Sequence, residues 1–396
     1  MNNIDLLQSD EVKRFIKENV ETDPSGLLLN PPKNFKNHIK EIVNQIIARK
    51  KAKGKLDDWA TNFELVMPAP LSIEQASSQT TCTYKQNLIS GDYLVDLTGG
   101  MGIDCLALSS SFNRTIYVEQ DPALCEIFRY NSLVLDYAVE IKNMEALDYV
   151  NSAICNPNKT TFYLDPARRD SDQKRVFRIE DCSPNLTELL PALREKANHV
   201  LVKYSPFLDI KGILNTIPNV KEVHIVSVKN DCKELLLLID FNFNGIPHIT
   251  CVNLKSNQGV YSFSSEEEAL SKARFGELAS YIFEPNASVM KAGAFNKICA
   301  DYDLIKLGEN THLYSENRLV DSFPGKTFEV ISTANETSIK EFATNGKINV
   351  ITRNYPLSTT ELKKKLKLRD GGDYFLVAFK DLNHKAKMVI AKLIHP

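Results

Sequence analysis

The stretch Leu94-Val95-Asp96-Leu97-Thr98-Gly99-Gly100-Met101-Gly102-Ile103-Asp104 constrains this chain more than any other. An apolar run ends at an acid, a glycine-rich turn follows, and Ile103, Leu106 and Ala107 then recur at helical spacing. Strand, tight turn and helix in that order make the first unit of a nucleotide-binding α/β sheet. Glycine permits the tight turn and leaves the backbone open to a ligand, with no Cβ in the way. The helix start then turns backbone N–H groups toward that ligand.

From about residue 92 to 243, short apolar runs alternate with helical stretches. Candidate strands are 93–97, 115–118, 139–142, 161–164, 199–203, 222–228 and 234–241. Alternation at this spacing implies βαβ units and a parallel sheet. The last two strands are separated only by Lys229-Asn230-Asp231-Cys232-Lys233. That is too short for a crossover helix, so they pair as an antiparallel hairpin. Residues 249–254 and 260–263 read as a further hairpin. Before the sheet, residues 1–78 read as helical, with breakers at Asp23-Pro24-Ser25-Gly26 and Asn30-Pro31-Pro32. The basic run Arg49-Lys50-Lys51-Ala52-Lys53-Gly54-Lys55 suits either a helix C-terminus or a phosphate contact. After residue 276 the pattern is that of small α+β modules, with strands at 328–331, 348–352 and 374–380 and a helix at 359–368.

Composition excludes several classes. The 396 residues are 43% hydrophobic, enough for a sizeable core in two to three domains. No apolar run approaches the roughly 18 residues of a membrane helix. The polar start Met1-Asn2-Asn3-Ile4-Asp5 lacks a basic-then-apolar leader. Eight cysteines stand scattered, with no CxxC pair, and the histidines show no ligand spacing, so no metal site is assigned. Scattered thiols without a leader fit a reducing cytosol, and a cytoplasmic location is the expectation. Residues 322–396 carry thirteen Lys and Arg against seven Asp and Glu, a net +6, on a remainder of net −8. Such a module either holds a polyanion or presents a solvated face.

Four acids lie where a nucleotide site needs them. Asp96 ends the first strand. Glu119 closes Tyr117-Val118-Glu119-Gln120-Asp121-Pro122, nineteen positions after Gly100. An acid at the tip of strand two reaches ribose hydroxyls; the alternative is surface charge. Glu145, just past strand three, suits an adenine amino group or a simple helix cap. Asp165, in Leu164-Asp165-Pro166-Ala167-Arg168-Arg169-Asp170, stands at the carboxyl end of strand four, where open α/β sheets bind ligands. The arginines after it offer forked donors for phosphate or carboxylate. A solvent-facing turn is the bland alternative. Lys203 ends a buried-looking strand and either snorkels or approaches the ligand. Cys182 follows the fourth motif without a neighbouring base to activate it.

With these residues in place, the chain resembles the class I S-adenosylmethionine-dependent methyltransferases. Asp96, Thr98, Gly99, Gly100 and Gly102 match their first motif, and Glu119 their ribose acid. Glu145 and Ala146 fall at the adenine side, and Asp165, Pro166 and Arg168 occupy the fourth motif. A narrower resemblance is to the bacterial members with a THUMP-like C-terminal domain. It is carried by Leu71-Ser72-Ile73-Glu74-Gln75-Ala76-Ser77-Ser78, Lys203-Tyr204-Ser205-Pro206, Glu284-Pro285-Asn286-Ala287, Ile351-Thr352-Arg353-Asn354-Tyr355-Pro356 and Arg369-Asp370-Gly371-Gly372-Asp373.

The resemblance implies an α/β fold with a Rossmann-like, seven-stranded, mostly parallel sheet whose last strand is antiparallel. It implies a helical region at 1–78, a methyltransferase domain at 79–275, a small ferredoxin-like α+β module at 276–321 and a THUMP-like α+β domain at 322–396. It also implies S-adenosylmethionine as cofactor, with Gln75 and Ser77 folded over it, and RNA as substrate. The fourth motif departs from the base-amine pattern, because Ala167 and Arg168 replace a proline and an aromatic. Asp165 would orient the acceptor or take its proton, and Arg168 would grip the substrate. Two other readings remain at this stage: a non-catalytic RNA-binding protein that retains the pocket, and a methyltransferase of a small molecule. A nicotinamide oxidoreductase fits poorly, because its third glycine would fall at Cys105.

Overall fold

In a computed structural model, which describes residues 3–168 and 179–395, the chain folds as two units. These are Met1–Lys221 with Leu236–Asn244, and Glu222–Leu235 with Gly245–Pro396.

The first unit opens with helices. Val12 and Ile16, four apart in α1 (Asp10–Asn19), are buried, as are Ile39, Ile42, Val43 and Ile46 in α2 (Ile39–Ala52). With Leu7, Phe35 and Val66 they form one apolar cluster. Each Val or Ile so placed contributes about 1.5–3 kcal/mol over leaving it exposed. Arg49 in the last turn of α2 is buried. Its guanidinium donates to the carbonyls of Trp59 (3.2 Å), Ala60 (3.3 Å), Asn62 (2.8 Å) and Leu65 (2.6 Å). Burial lowers its pKa to about 10. Lys50 donates to Thr22 O, Lys51 pairs with Glu74, Lys53 with Glu21, and Lys55 donates to the carbonyls of Ile73 and Glu74. Arg49 of the basic run thus has a packing role, and the lysines of 50–55 engage the chain's own N-terminal region.

Helices α3 (Pro70–Gln75) and α4 (Gln79–Gln86) lead into β1 (Gly91–Asp96). Then follow α5 (Ile103–Ser109), β2 (Phe112–Glu119), α6 (Pro122–Val134), β3 (Val139–Asn143), α7 (Ala146–Ser152), β4 (Thr160–Leu164), α8 (Leu186–Lys196), β5 (His199–Tyr204) and α9 (Ile210–Thr216). Asp121 starts α6 by accepting from Ala123 N, with Pro122 in the first turn. β1 pairs in parallel with β2 and β4, β2 with β3, and β4 with β5. All five residues of β4 are buried, as expected of a parallel strand covered on both faces. The side chains of Gln45 and Asn131 each exchange two hydrogen bonds with the backbone, Gln45 with Met67 and Asn131 with Val66, tying residues 66 and 67 to α2 and α6.

β6 (Val220–Val228) and β7 (Asp231–Asp240) form the predicted hairpin. Its turn is only Lys229-Asn230, with φ of 51° and 65°, so the strands extend farther than the apolar runs showed. The order β3-β2-β1-β4-β5-β7-β6 places the topological switch between β1 and β4. The crevice outside their carboxyl ends is where such sheets bind ligands.

In the second unit, β8 (His248–Leu254) pairs in parallel with β6, and β9 (Tyr261–Ser264) pairs antiparallel with β8. Eight more strands follow: β10 (Arg274–Phe275), β11 (Tyr281–Pro285), β12 (Ile305–Lys306), β13 (Tyr314–Glu316), β14 (Gly325–Thr333), β15 (Asn349–Arg353), β16 (Tyr374–Lys380) and β17 (Ala386–His395). They form one sheet in the order β10-β12-β13-β11-β14-β17-β16-β15. Antiparallel pairing of β11 with β14 makes the two C-terminal segments continuous. Arg353 of β15 reaches the buried Glu284 of β11 at 2.5 Å, joining two of the stretches singled out above. Helices α10 (Glu336–Phe342) and α11 (Thr359–Leu366) both open on capping boxes. Lys367, at φ 55°, ends α11 two residues sooner than its apolar pattern predicts. No helix among the described residues is long and apolar enough to cross a membrane.

Replacing Arg49 by Ala would remove a donor from four carbonyls, two of them buried. The expected cost is about 2–4 kcal/mol, read as a lower urea midpoint at unchanged slope. An unchanged midpoint would contradict the packing role.

Candidate active site at the carboxyl edge of the sheet

The glycine turn is shaped first by the protein's own rings. Tyr117 and Phe128 stack with centroids 3.9 Å apart. A Cβ on Gly99 would lie 2.2 Å from the Tyr117 ring, and one on Gly102, at φ +85°, 2.1 Å from Phe128. Gly100 differs. Its φ is +55°, and a Cβ there would meet nothing nearer than Thr98 O at 3.8 Å. The need for glycine at Gly99 and Gly102 is thus internal packing, while Gly100 is the position left open to a ligand.

The strand ends are linked to one another. Asp96 Oδ1 accepts from Thr98 N (3.0 Å), and Thr98 Oγ1 accepts from Asp165 N (2.6 Å), so the first and fourth motifs share a hydrogen-bond chain. Glu119 accepts from Gly100 N (2.8 Å) and Asp121 N (2.9 Å), one on each oxygen. A carboxylate has about four lone-pair positions, so two remain on Glu119. Asn143 Nδ2 donates to the carbonyls of Glu119 and Gln120, which holds the tips of β2 and β3 together. Glu145 occupies the N-cap position of α7 but makes no capping bond. It is exposed, within 2.6 Å of the Gln120 amide. Ala146 opens α7 and is buried. Gln75 ends α3 and is exposed.

Ser77 is buried and bonded to Asp104. Asp104, in the first turn of α5, accepts from Ser77 Oγ (2.7 Å), Tyr163 OH (2.8 Å) and Cys82 Sγ (3.2 Å). Fully buried Lys85 of α4 pairs with it at 2.9 Å. Lys203, at the end of β5, lies 3.9 Å from Asp104 and 2.5 Å from Asp165 Oδ2. Burial pushes the Asp104 carboxyl up, but Lys85 and Lys203 outweigh it and hold the group well below the usual range. Asp96 moves the other way. Burial raises it well above the usual carboxylate range, and facing Asp104, Asp165 and Glu119 add to that, against the Thr98 N–H. Asp165 is also raised by its enclosed setting, with Lys203 opposing. Its side chain remains 35% exposed, which moderates the effect.

Pro166 is buried behind Asp165. The backbone of Arg168 pairs antiparallel with buried Cys182. The Arg168 side chain, Arg169 and Asp170 lie outside the described residues. The one sequence signal for Asp104 was an acid in the first turn of the glycine-turn helix; nothing marked Lys85 or Tyr163 as its partners. Among the described residues, no group of three or more His, Cys, Asp or Glu side chains has a metal-holding arrangement.

Residues 281–324 match a ferredoxin-like domain family, and residues 325–393 a THUMP domain-like family. Two strains of Mycobacterium tuberculosis have a relative named an uncharacterized S-adenosylmethionine-dependent methyltransferase. It is 21% identical over 336 residues, covering 83% of this chain and 89% of that protein. A crystal structure of a "putative methyltransferase from Porphyromonas gingivalis W83" superposes with a TM-score of 0.83 at 28% identity, covering 96% of this chain and 97% of that one. The fold is that of this Porphyromonas gingivalis protein, and the ferredoxin-like and THUMP-like matches follow one another in the C-terminal part of the present chain.

Replacing Asp104 by Asn breaks a buried ion pair, with an expected loss of about 3–5 kcal/mol at pH 7. The folded pKa lies below the unfolded one. The stability it contributes is therefore complete above the unfolded value, about pH 4, and fades as pH falls through the folded one. Urea unfolding of both forms should show the gap narrowing below about pH 4. A gap that stays constant with pH would refute the ion-pair account.

Proposed function

We propose that this S-adenosylmethionine-dependent methyltransferase acts on RNA, with a base as the methyl acceptor. The observation that carries the reading is the hydrogen-bonded convergence of Asp96, Thr98 and Asp165 at the switch point, beside Gly100 and Glu119. The cofactor fits what is there. Gly100 leaves the backbone open, and the two remaining lone-pair positions of Glu119 suit ribose hydroxyls. Exposed Glu145, not engaged as a cap, suits the adenine amino group, with Ala146 beneath it. Gln75, Ser77, Asp96, Thr98, Gly99 and Gly102 complete the proposed cofactor set. When bound, the sulfonium supplies an already activated methyl group. The protein's work is then alignment, which is worth several kcal/mol in such reactions.

Asp165 is the proposed contact to the acceptor, Pro166 stiffens the chain behind it, and Arg168 is the proposed substrate grip. The RNA reading draws on the THUMP-like match and on the charge of the C-terminal segment. Lys364, Lys365, Lys367 and Arg369 are exposed on and just after α11, where backbone phosphates favour them.

Titration calorimetry should show S-adenosylmethionine binding to the wild type and about 30-fold or weaker binding to Glu119→Ala, from the loss of charge-assisted hydrogen bonds. Unchanged affinity would remove Glu119 from the site. With methyl-labelled cofactor and total cell extract, label should enter the RNA fraction. Replacing Lys364, Lys365 and Lys367 by Ala should weaken RNA retention and flatten its salt dependence. Label confined to small molecules would overturn the RNA reading, and an absence of transfer despite RNA binding would favour a non-catalytic role.

A further inference from the structure

Three carboxyl groups converge where β1, β4 and α5 meet: Asp96, Asp104 and Asp165. Two ammonium groups face them, Lys85 from α4 and Lys203 from β5. The partners are unevenly divided. Oδ2 of Asp104 accepts from Ser77 (2.7 Å) and Tyr163 (2.8 Å), and Oδ1 from Lys85 (2.9 Å) and Cys82 (3.2 Å). Four donors fill the four lone-pair positions of a carboxylate. At 3.9 Å from Asp104, Lys203 is held by charge alone, while at 2.5 Å it makes a full hydrogen bond to Asp165. Asp96 receives the Thr98 N–H and, among the described residues, no ion pair. Of the three acids, Asp165 is the one that combines an ammonium partner with solvent access.

We infer that Lys203 is a positioning residue that keeps Asp165 ionised and aimed out of the sheet, so that the acceptor bound against Asp165 must present an N–H or O–H. The acceptor half rests on the methyltransferase reading; the Lys203–Asp165 half does not. An ionised carboxylate only accepts hydrogen bonds. An exocyclic amino group or a ring N–H satisfies it, whereas an aromatic carbon such as C5 of a pyrimidine offers it no polar proton. As the acceptor nitrogen bonds to the methyl carbon, the sulfur–carbon bond breaks with its electron pair left on sulfur. The acceptor's proton passes to Asp165 and from there to water. Among the described residues, the titratable groups around Asp165 are Lys203 on β5, Asp104 on α5, Lys85 on α4 and Asp96 on β1. Without Lys203, the enclosed setting and the Asp104 carboxylate act on Asp165 with Lys85 opposing, and its proton affinity rises.

The full chain labelled with carboxyl-13C aspartate provides the test, with the Asp165 resonance assigned by its loss in Asp165→Asn. Lys203→Met should raise the Asp165 titration midpoint by about one pH unit or more, a tenfold gain in proton affinity. Lys203→Arg should keep it near wild type. If Lys203→Met does not fold, Lys203→Gln gives the same comparison, since it keeps a donor and drops the charge. Equal midpoints in wild type and the charge-removed variant would overturn the role of Lys203. Cofactor binding measured on the same samples separates the two readings, because its absence would count against the methyltransferase reading while leaving the midpoint shift intact. For the acceptor, transferred label recovered on a base carbon would overturn the N–H or O–H requirement, and label on nitrogen or oxygen would support it.

Discussion

A buried carboxylate is tolerable only when its lone pairs are met. Asp104 meets that condition with donors from the Ser77 segment, α4 and β4 at once. The same contacts hold the segment before β1 against the glycine-turn helix and the edge of β4. Networks of this kind lose more than one bond when a member is removed, because the groups left behind stay buried. The site's geometry thus depends on an acid that has no proposed contact with ligand.

Around that anchor the other acids divide their work by environment. Asp96 sits deepest, among like charges, and its burial raises its proton affinity. Glu119 spends half of its accepting capacity bracing Gly100 and Asp121. Asp165 alone faces outward with a lysine at its side. The same carboxyl group thereby serves as a buried hydrogen-bond acceptor, a structural anion, a brace and a half-buried partner of an ammonium, as desolvation and neighbours dictate.

Much of the sheet was legible because parallel strands covered on both faces read as plain apolar runs, and a five-residue gap left room only for a hairpin. The acids at the strand ends were legible because they follow those runs directly. What was not legible depends on partners distant in sequence. Asp104 and Tyr163 are 59 residues apart, and Arg353 and Glu284 are 69 apart. Arg49 read as an end-of-helix charge, yet it is buried among the carbonyls of the chain that follows it. The glycines were expected to make room for a ligand. At Gly99 and Gly102 they first make room for Tyr117 and Phe128, and no local spacing rule reveals a ring supplied by the next strand or helix.

The most direct measurement is a crystal structure of the full chain grown with S-adenosylhomocysteine. The account predicts the ribose hydroxyls on the Glu119 carboxylate, the nucleotide passing Gly100, and Asp104 still bonded to Ser77, Tyr163 and Lys85. A nucleoside bound elsewhere, or an Asp104 that exchanges those partners for the ligand, would contradict it.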